Sequence, residues 1–339
     1  MPADTSRGIS FLVVGCGSIG ERHIGNLIQL KVGRIVAFDV RPDRRADVVR
    51  KFGVESPDAL ESAWKLRPDV ALIAVPTNMH VPLAVQAAEH GCHLFIEKPL
   101  SHRLDGVNQL LEVVKEQKLL SLVGCNMRFH PGLLTVKELL EKGAIGRVVS
   151  VRAEFGQYLP DWHPWEDYRQ GYSARQAQGG GVILDASHEI DYVRWLVGDV
   201  DKVACFSGKL SQLEIDTEDT AAILLHFVNG IIGEIHMDYV QRAYSRTCHV
   251  IGEEGTIRWD YTAGEVRWCS AETGRWQVFL NPAGWEPNQM YLDEMRHFLN
   301  CLAGEENPEL DVFQGTEVLK IALAAKASAK TGRVVAVEK

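Results

Sequence analysis

The sequence predicts an α/β fold in which a doubly wound parallel sheet is followed by a domain built on a mainly antiparallel sheet. Apolar runs of strand length alternate with helical segments up to about residue 128, and short strands with turn signals dominate beyond it. The 339 residues, 46% of them hydrophobic, are enough for two ordinary domains. We therefore predict one domain at residues 8–128 and a second at residues 129–339.

The first domain is predicted from continuous apolar strands and the helices between them. A parallel connection needs a crossover, which a helix supplies, so both faces of such a sheet become covered. The strands are predicted at residues 9–14, 35–38, 70–75, 93–96 and 120–124, and the helices at 21–30, 44–52, 81–90 and 104–117.

The second domain is predicted from short strands joined by turns. Asn229-Gly230 separates two alternating runs and is a strong signal for a two-residue hairpin. Helices are predicted at residues 288–302 and 314–330, the latter with apolar residues at helical spacing. The strands are predicted at residues 146–155, 221–228, 231–239, 248–251, 256–261, 265–269 and 276–280.

Charge and cysteine usage exclude several classes of protein. A formal net charge of −9 without a Lys/Arg cluster argues against a nucleic-acid partner. The chain start lacks a signal-peptide pattern and no stretch approaches the roughly 20 apolar residues of a membrane span, so we expect a cytoplasmic protein without a membrane partner. Seven cysteines without a C-x-x-C pair indicate reduced core residues, with neither disulfides nor a zinc site.

A glycine-rich turn between the first strand and helix predicts a dinucleotide site. The glycines permit a tight turn, close approach of a pyrophosphate and close helix packing, and the helix N-terminus attracts the phosphates. FAD and S-adenosylmethionine use similar turns and remain alternatives. The turn reads Gly15-Cys16-Gly17-Ser18-Ile19-Gly20.

Asp39, at the end of the second strand, favours NAD over NADP. It stands 19 residues after Gly20, where a carboxylate accepts a hydrogen bond from a ribose 2′-OH and repels a 2′-phosphate. Arg41, Arg44 and Arg45 follow closely, and one of them could bind that phosphate, so NADP stays possible.

Two polar clusters are candidates for the chemistry. Lys98 follows the buried strand 93–96, at the strand end where open α/β sheets bind ligands. It could accept a hydroxyl proton or stabilise an alkoxide, or it could simply be an exposed lysine.

The second cluster lies farther along the chain. Ser187 or Asp185 resembles a helix cap, which places His188 in the first turn and Asp191 one turn later. A carboxylate within reach holds a histidine in one tautomer for proton transfer, although a structural histidine is the alternative. We predict no metal.

The motifs as a set resemble the glucose-fructose oxidoreductase and inositol dehydrogenase family, often called Gfo/Idh/MocA. The resemblance covers nearly the whole chain and implies a Rossmann domain joined to a domain with an open-faced, largely antiparallel sheet. The matching segments are the glycine turn with His23, Val75-Pro76-Thr77-Asn78-Met79-His80, Glu97-Lys98-Pro99, Asn126-Met127-Arg128-Phe129-His130-Pro131, and the glycine-led segment carrying Asp185, His188 and Asp191.

The resemblance also implies roles for individual residues. Lys98 and His188 are expected to serve proton transfer and substrate orientation, with Asp185 beside them. Glu97 and Pro99 are expected to shape the pocket, with a cis bond before Pro99, while Thr77, Asn78 and His80 are expected to line the nicotinamide side. The family more commonly spaces this aspartate and histidine by four positions, whereas Asp185 and His188 are three apart, so a register kept by His188 and Asp191 displaces Asp185.

An aromatic, arginine-rich loop over residues 158–175 is the candidate substrate side. Aromatic faces suit a sugar ring, and arginines bind carboxylate or phosphate, although the aromatics could simply anchor the loop. The loop is similar to relatives that handle sugar nucleotides or sugar acids. The predicted substrate-binding residues are Arg128, Tyr158, Trp162, Arg169 and Tyr172, with Arg175 a further cation.

Together these observations predict an NAD(P)-dependent oxidoreductase acting on a hydroxyl or carbonyl carbon of a sugar, sugar acid or sugar nucleotide. An inositol or polyol dehydrogenase is the first alternative, and a dinucleotide-binding sensor without catalysis is the second. Retention of both Lys98 and His188 favours an enzyme, because a sensor needs neither group. The exposed sheet face predicts a homodimer or homotetramer.

Overall fold

A computed structural model describes residues 8–162 and 164–338. The described chain forms two compact units. The first runs to Cys125 and includes Pro287–Thr316; the second comprises Asn126–Glu286 and the segment from Glu317 onwards. The first unit thus takes in a segment that the predicted division at residues 128/129 assigns to the second domain.

As predicted, the first unit is a doubly wound sheet of five parallel strands, and the structure shows their order to be β2-β1-β3-β4-β5. The helix Leu60–Trp64 was not predicted from the sequence. The strands are β1 (Phe11–Val14), β2 (Ile35–Phe38), β3 (Val70–Ile73), β4 (His93–Glu97) and β5 (Ser121–Gly124), and the helices are α1 (Ser18–Gln29), α2 (Pro42–Phe52), α3 (Leu60–Trp64), α4 (His80–Glu89) and α5 (Val107–Glu116).

The strands of the first unit are apolar on both faces because helices cover both sides. A later helix, α9 (Asn288–Leu302), completes this core. Phe298 of α9 packs edge-on against Phe11 and Phe95, with ring centroids 6.5 and 5.6 Å away, and Met295 is fully buried beside them. Burial of this apolar face explains why α9 belongs to the first unit.

The second unit is built on a nine-stranded sheet in the order β13-β12-β11-β10-β6-β9-β8-β7-β14. Its neighbours are antiparallel except for β6 and β9. The strands are β6 (Val148–Gly156), β7 (Val200–Gly208), β8 (Thr220–Phe227), β9 (Ile232–Asp238), β10 (Ser245–Gly252), β11 (Gly255–Asp260), β12 (Glu265–Ser270), β13 (Trp276–Leu280) and β14 (Val335–Ala336).

The predicted hairpin at Asn229-Gly230 is confirmed. Gly230 has a φ of +84°, a left-handed conformation that glycine adopts without strain, and β8 pairs with β9 across the turn. Strand β7 and the helix α6 (Pro131–Glu141) were not predicted. The remaining helices are α7 (Val182–Asp185), α8 (Ser187–Val197) and α10 (Val312–Thr331).

One face of the large sheet is covered and the other is open. Helix α8 packs on β6 and β9. Along β8, Ile223 and Leu225 are buried whereas Leu224 and His226 are exposed, which is the alternation of a sheet with one solvated face. The open-faced sheet implied by the family resemblance is therefore present.

Two further expectations concern the whole described chain. The cysteines are unbridged, and all of them are buried except the half-buried Cys269. Among the described residues, no helix combines the length and the apolar character that crossing a membrane requires.

Candidate active site

The glycine turn after β1 has the geometry that the motif predicts. Gly15 adopts a φ of +99°, and a Cβ there would lie 2.3 Å from the carbonyl oxygen of Ala74 on the neighbouring strand end. A Cβ on Gly20 would lie 1.9 Å from the carbonyl oxygen of Gly15. Both positions therefore exclude every residue except glycine, and together they bring the start of α1 against the sheet.

The N-terminus of α1 is open to an anion. Gly17 is its N-cap and offers no side chain to cap the helix, so the first N–H groups are left for a ligand. Ser18 is exposed and Ile19 half-buried in this first turn. A turn closed by two obligatory glycines and followed by an uncapped helix of 12 residues fits the diphosphate of NAD.

Asp39 is fixed at the end of β2 beside the glycine turn. Its Oδ2 accepts the backbone N–H of Cys16 at 2.8 Å, and its Oδ1 accepts that of Arg41 at 2.8 Å. Each carboxylate oxygen keeps a lone pair for a ribose hydroxyl. Burial, followed by the charge of this carboxylate, raises the pKa of the Cys16 thiol to about 12, so that thiol stays neutral.

The three arginines after Asp39 are each held by an acidic residue or a carbonyl. Arg41 pairs with the exposed Asp43, and Arg45 donates to the carbonyl oxygen of Asp39 at 2.9 Å. Nη1 of Arg44 lies 3.7 Å from Oδ2 of Asp39. The carboxylate is therefore the better-placed group for the ribose, which favours NAD over NADP.

Lys98 lies in a turn that directly follows β4. It is half-buried, and the Lys98–Pro99 bond is cis, as the resemblance implied. The preceding Glu97 is buried; its Oε1 lies 2.6 Å from Nε2 of the fully buried His23 on α1, and its Oε2 accepts the N–H of Lys98 at 3.3 Å. The carboxylate therefore connects the cofactor-binding helix to the turn that carries Lys98.

His80 holds the other side of the same turn. Its Nδ1 lies 2.8 Å from the carbonyl oxygen of Pro99, and its Nε2 lies 2.8 Å from that of Val75. Burial lowers the pKa of His80 although both carbonyl contacts favour protonation, and a neutral ring donates to only one of them. His80 is thus a buried brace between two loops, and its place on the nicotinamide side stays a prediction. The buried Thr77 and half-buried Asn78 form a 3-10 turn just before it.

Asp185 is placed differently from the cap that the sequence predicted. Helix α7 ends at Asp185, α8 begins at Ser187, and neither side chain caps α8, so that prediction was wrong. The Asp185 carboxylate instead accepts hydrogen bonds from Tyr172 Oη at 2.5 Å, Ser173 Oγ at 2.6 Å and Tyr239 Oη at 3.0 Å. Three hydroxyl donors hold it in one orientation.

His188 lies in the first turn of α8, as predicted, and is buried. The Asp191 carboxylate, predicted to hold its tautomer, accepts two hydrogen bonds from Arg128: Nε donates at 3.0 Å and Nη2 at 2.8 Å. Both partners are buried, so the guanidinium of Arg128 is neutralised within the protein. Its role in substrate binding stays a prediction.

The aromatic loop is held by several side-chain contacts. Trp162 packs edge-on against Phe155 and Tyr239, with ring centroids 5.8 and 5.4 Å away. The Arg169 guanidinium donates to Asp167 at 2.8 Å and to Glu214 at 3.1 Å, so two carboxylates neutralise it. These contacts favour an anchoring role for both residues.

Tyr158, by contrast, carries a stacked arginine that the sequence analysis did not single out. The guanidinium carbon of Arg242 lies 3.6 Å from the centroid of the Tyr158 ring. Tyr239 and Ser173, which orient Asp185, were also missed, since neither lies in a recognisable motif.

One group of potential metal ligands occurs among residues 8–162 and 164–338, in the first unit. It consists of His297, Cys301 and Glu306. Nδ1 of His297 contacts Glu306, while its Nε2 accepts the N–H of Glu309 at 3.0 Å. Both ring nitrogens therefore have partners within a hydrogen-bonded helix end.

Two family profiles match the chain. The oxidoreductase family with an NAD-binding Rossmann fold matches residues 9–125, and the GFO/IDH/MocA C-terminal domain matches residues 133–258. Myo-inositol 2-dehydrogenase of Thermotoga maritima is 30% identical, with 96% of this chain and 98% of that protein aligned. The scyllo-inositol 2-dehydrogenase (NAD(+)) of Bacillus subtilis is 25% identical over 94% of each chain.

Solved structures agree on the fold. A levoglucosan dehydrogenase in complex with NADH and levoglucosan superposes with a TM-score of 0.87, at 22% identity over 97% of this chain and 99% of that one. The WlbA dehydrogenase from Bordetella pertussis, in complex with NADH and UDP-GlcNAcA, gives a TM-score of 0.83 at 25% identity over 98% and 100%. The chain belongs to the GFO/IDH/MocA family and is an NAD-dependent oxidoreductase.

Proposed function

We propose that the protein transfers a hydride between NAD and a hydroxyl-bearing or carbonyl carbon of a sugar, sugar acid or sugar nucleotide, with Lys98 and His188 handling the proton. The observation that carries this proposal is the placement of Lys98. It follows β4 at the same sheet edge as the glycine turn, in a loop braced by His23 through Glu97 and by His80. A braced amine beside a dinucleotide site fits proton transfer.

The chemistry divides between the cofactor and the side chains. Bound NAD supplies the ring carbon that accepts the hydride. When an alcohol is oxidised, Nζ of Lys98 takes up the hydroxyl proton or, as an ammonium, stabilises the developing alkoxide. The imidazole of His188 orients the hydroxyl and shares the proton transfer. In the reducing direction the same groups return the proton to the carbonyl oxygen.

Substitutions at the two positions test this assignment. Lys98→Ala and His188→Asn are each expected to lower kcat by about 100-fold or more, since a positioned acid/base group contributes about 10²–10⁴. Binding of NADH, measured by its fluorescence, stays within about threefold. Lys115→Ala, an exposed lysine on α5, is the matched control. A Lys98→Ala enzyme with more than half of wild-type kcat would remove Lys98 from the mechanism.

Asp185 is proposed to orient the substrate side, although the family pattern assigns it a catalytic role. Its three hydroxyl donors include Tyr172, which belongs to the candidate substrate loop. For an orienting role, Asp185→Asn raises KM while kcat falls less than about tenfold, and Tyr239→Phe gives the same pattern more weakly. A fall in kcat of about 100-fold at unchanged KM would instead assign Asp185 a proton-transfer step.

The substrate class is supported by the relatives. The Thermotoga maritima and Bacillus subtilis proteins are named for inositols, and the Bordetella pertussis structure holds a sugar nucleotide. An inositol or polyol dehydrogenase is therefore the second candidate, and turnover of myo-inositol in preference to sugars and sugar nucleotides would favour it. A protein that binds NADH but turns over none of these compounds would fit a sensor.

Assembly and location complete the proposal. The open face of the large sheet carries exposed apolar side chains, among them Phe206, Leu224 and Leu280, which support a homodimer or homotetramer. Light scattering tests this, and a monomer at 10 µM would contradict it. Unbridged cysteines support a cytoplasmic location, because thiols stay reduced there.

A further inference from the structure

We propose that Arg242, stacked on Tyr158, binds an anionic group of the substrate, so that the natural substrate carries a carboxylate or a phosphate. This inference rests on the proposed oxidoreductase function and narrows its substrate class. The sequence gave an anion-binding role to Arg128, Arg169 and Arg175, and the stack adds Arg242 to these candidates.

The arginines of the second unit differ in whether a carboxylate neutralises them. Arg128 is neutralised by Asp191, Arg246 by Glu189 at 2.9 Å, and Arg169 by two carboxylates. Arg242 is exposed and has no carboxylate within 4 Å among residues 8–162 and 164–338. Its charge is therefore available to a ligand.

Backbone hydrogen bonds preorganise the stack of Arg242 on Tyr158. The N–H groups of Gln157 and Leu159, on either side of Tyr158, donate to the carbonyl oxygens of Asp238 and Tyr239 at 3.2 and 2.9 Å. Gln241, next to Arg242, donates its N–H to the Asp238 carboxylate at 2.7 Å. The backbone segments that carry the ring and the guanidinium are thus both anchored on Asp238, which reduces the entropy lost when a ligand is bound.

Tyr239 connects the stack to the candidate active site within the same unit. Tyr239, whose carbonyl oxygen fixes the backbone beside Tyr158, donates its hydroxyl to Asp185 at 3.0 Å. Asp185 lies three residues before His188. An anion on Arg242 therefore binds to the same hydrogen-bonded framework that carries His188.

The chemistry of the stack selects the ligand. A guanidinium lying over a ring keeps its N–H edge in its own plane, where it forms two parallel hydrogen bonds with a carboxylate or a phosphate. A neutral cyclitol or hexose offers no such group. An acidic sugar or a sugar nucleotide therefore gains an interaction that a neutral sugar lacks.

The test measures binding, so it does not depend on Lys98. NADH-loaded wild type, Arg242→Met, Arg242→Lys and Arg147→Met are titrated calorimetrically with myo-inositol, D-glucuronate, UDP and UDP-N-acetylglucosamine. Arg147→Met is the matched control, because that arginine is exposed in the same unit and its loss removes one positive charge. Binding of glucuronate indicates that the site takes a carboxylate, and binding of UDP indicates that it takes a phosphate.

For an anion site, at least one anionic probe binds wild type and weakens about tenfold or more in Arg242→Met, since a bidentate charged contact is strong. Arg242→Lys gives an intermediate loss, and Arg147→Met and myo-inositol show no change. The proposal is overturned if no anionic probe binds wild type more tightly than Arg242→Met, or if both Met variants weaken binding equally. Loss of turnover in Lys98→Ala, with these affinities unchanged, separates the proposed chemistry from the anion site.

Discussion

His130 makes folding of the second unit sensitive to acid. Its ring is fully buried, and its Nδ1 accepts the N–H of Gly132 at 3.0 Å, which caps α6. The rings of Trp259 and Trp285 contact it edge-on, with centroids 5.1 and 4.8 Å away. Burial, followed by the positive charge of Arg246, lowers the pKa of His130 from 6.5 to about 3.

The magnitude follows from the two pKa values. Below pH 6.5 the unfolded chain binds a proton at this position, whereas the folded protein does not until the pH approaches about 3. The contribution of neutral His130 to the free energy of unfolding is therefore complete above pH 6.5. It is lost as the pH falls, by about 1.4 kcal/mol for each pH unit between the two pKa values. At pH 5 the loss amounts to about 2 kcal/mol.

Urea unfolding at pH 7, 6 and 5 measures this effect, with tryptophan fluorescence as the probe because Trp259 and Trp285 contact the ring. His130→Asn keeps a side-chain oxygen for the cap but cannot titrate. As the pH falls, its free energy of unfolding is expected to decrease less than that of wild type, and the two slopes differ by about 1.4 kcal/mol per pH unit. His226→Asn, at an exposed position, controls for the loss of a histidine. Parallel curves for wild type and His130→Asn between pH 7 and 5 would refute the reasoning.

Three further predictions concern the cofactor site and the buried ion pair. Gly20→Ala places a methyl group against the Gly15 carbonyl oxygen and is expected to weaken NADH binding at least 100-fold by fluorescence titration; an affinity within threefold of wild type would contradict the turn geometry. Asp39→Ser removes the repelling carboxylate, so the ratio of kcat/KM for NADP to that for NAD rises at least tenfold, and an unchanged ratio argues against its ribose contact. Asp191→Asn removes the carboxylate that binds the buried Arg128 guanidinium and lowers the free energy of unfolding by about 3–5 kcal/mol in urea; a change below about 1 kcal/mol would contradict a stabilising role of this ion pair.

The parts of the fold that sequence predicted are those set by local pattern. Apolar runs and the glycine turn specify β1 and α1 within about 20 residues of each other, and the Asn229-Gly230 pair specifies its own hairpin. The docking of α9 is different. Its Phe298 packs against strand residues more than 200 positions earlier in the chain, and an amphipathic pattern does not say which unit provides the matching surface.

The candidate site residues also divide into those that a local motif specifies and those that depend on partners far away in the chain. Gly15, Gly20 and Asp39 act through backbone geometry and a strand end, which a motif encodes directly. The partners of charged side chains are not encoded in this way. Nothing within one helical turn of Asp191 indicates that its carboxylate binds Arg128, which lies 63 residues earlier in the chain.

Asp185 shows why spacing alone could not assign a role. The short interval to His188 is accommodated by an interruption at Ala186, whose φ of −89° and ψ of 32° separate α7 from α8. The carboxylate thereby remains on α7, where its hydroxyl donors come from 13, 12 and 54 residues away in the chain. A carboxylate that must release a proton and one that must hold three hydroxyls look identical in a motif. Only the donors around it distinguish them, and here those donors link it to the substrate loop and, through Tyr239, to the segment that anchors Arg242.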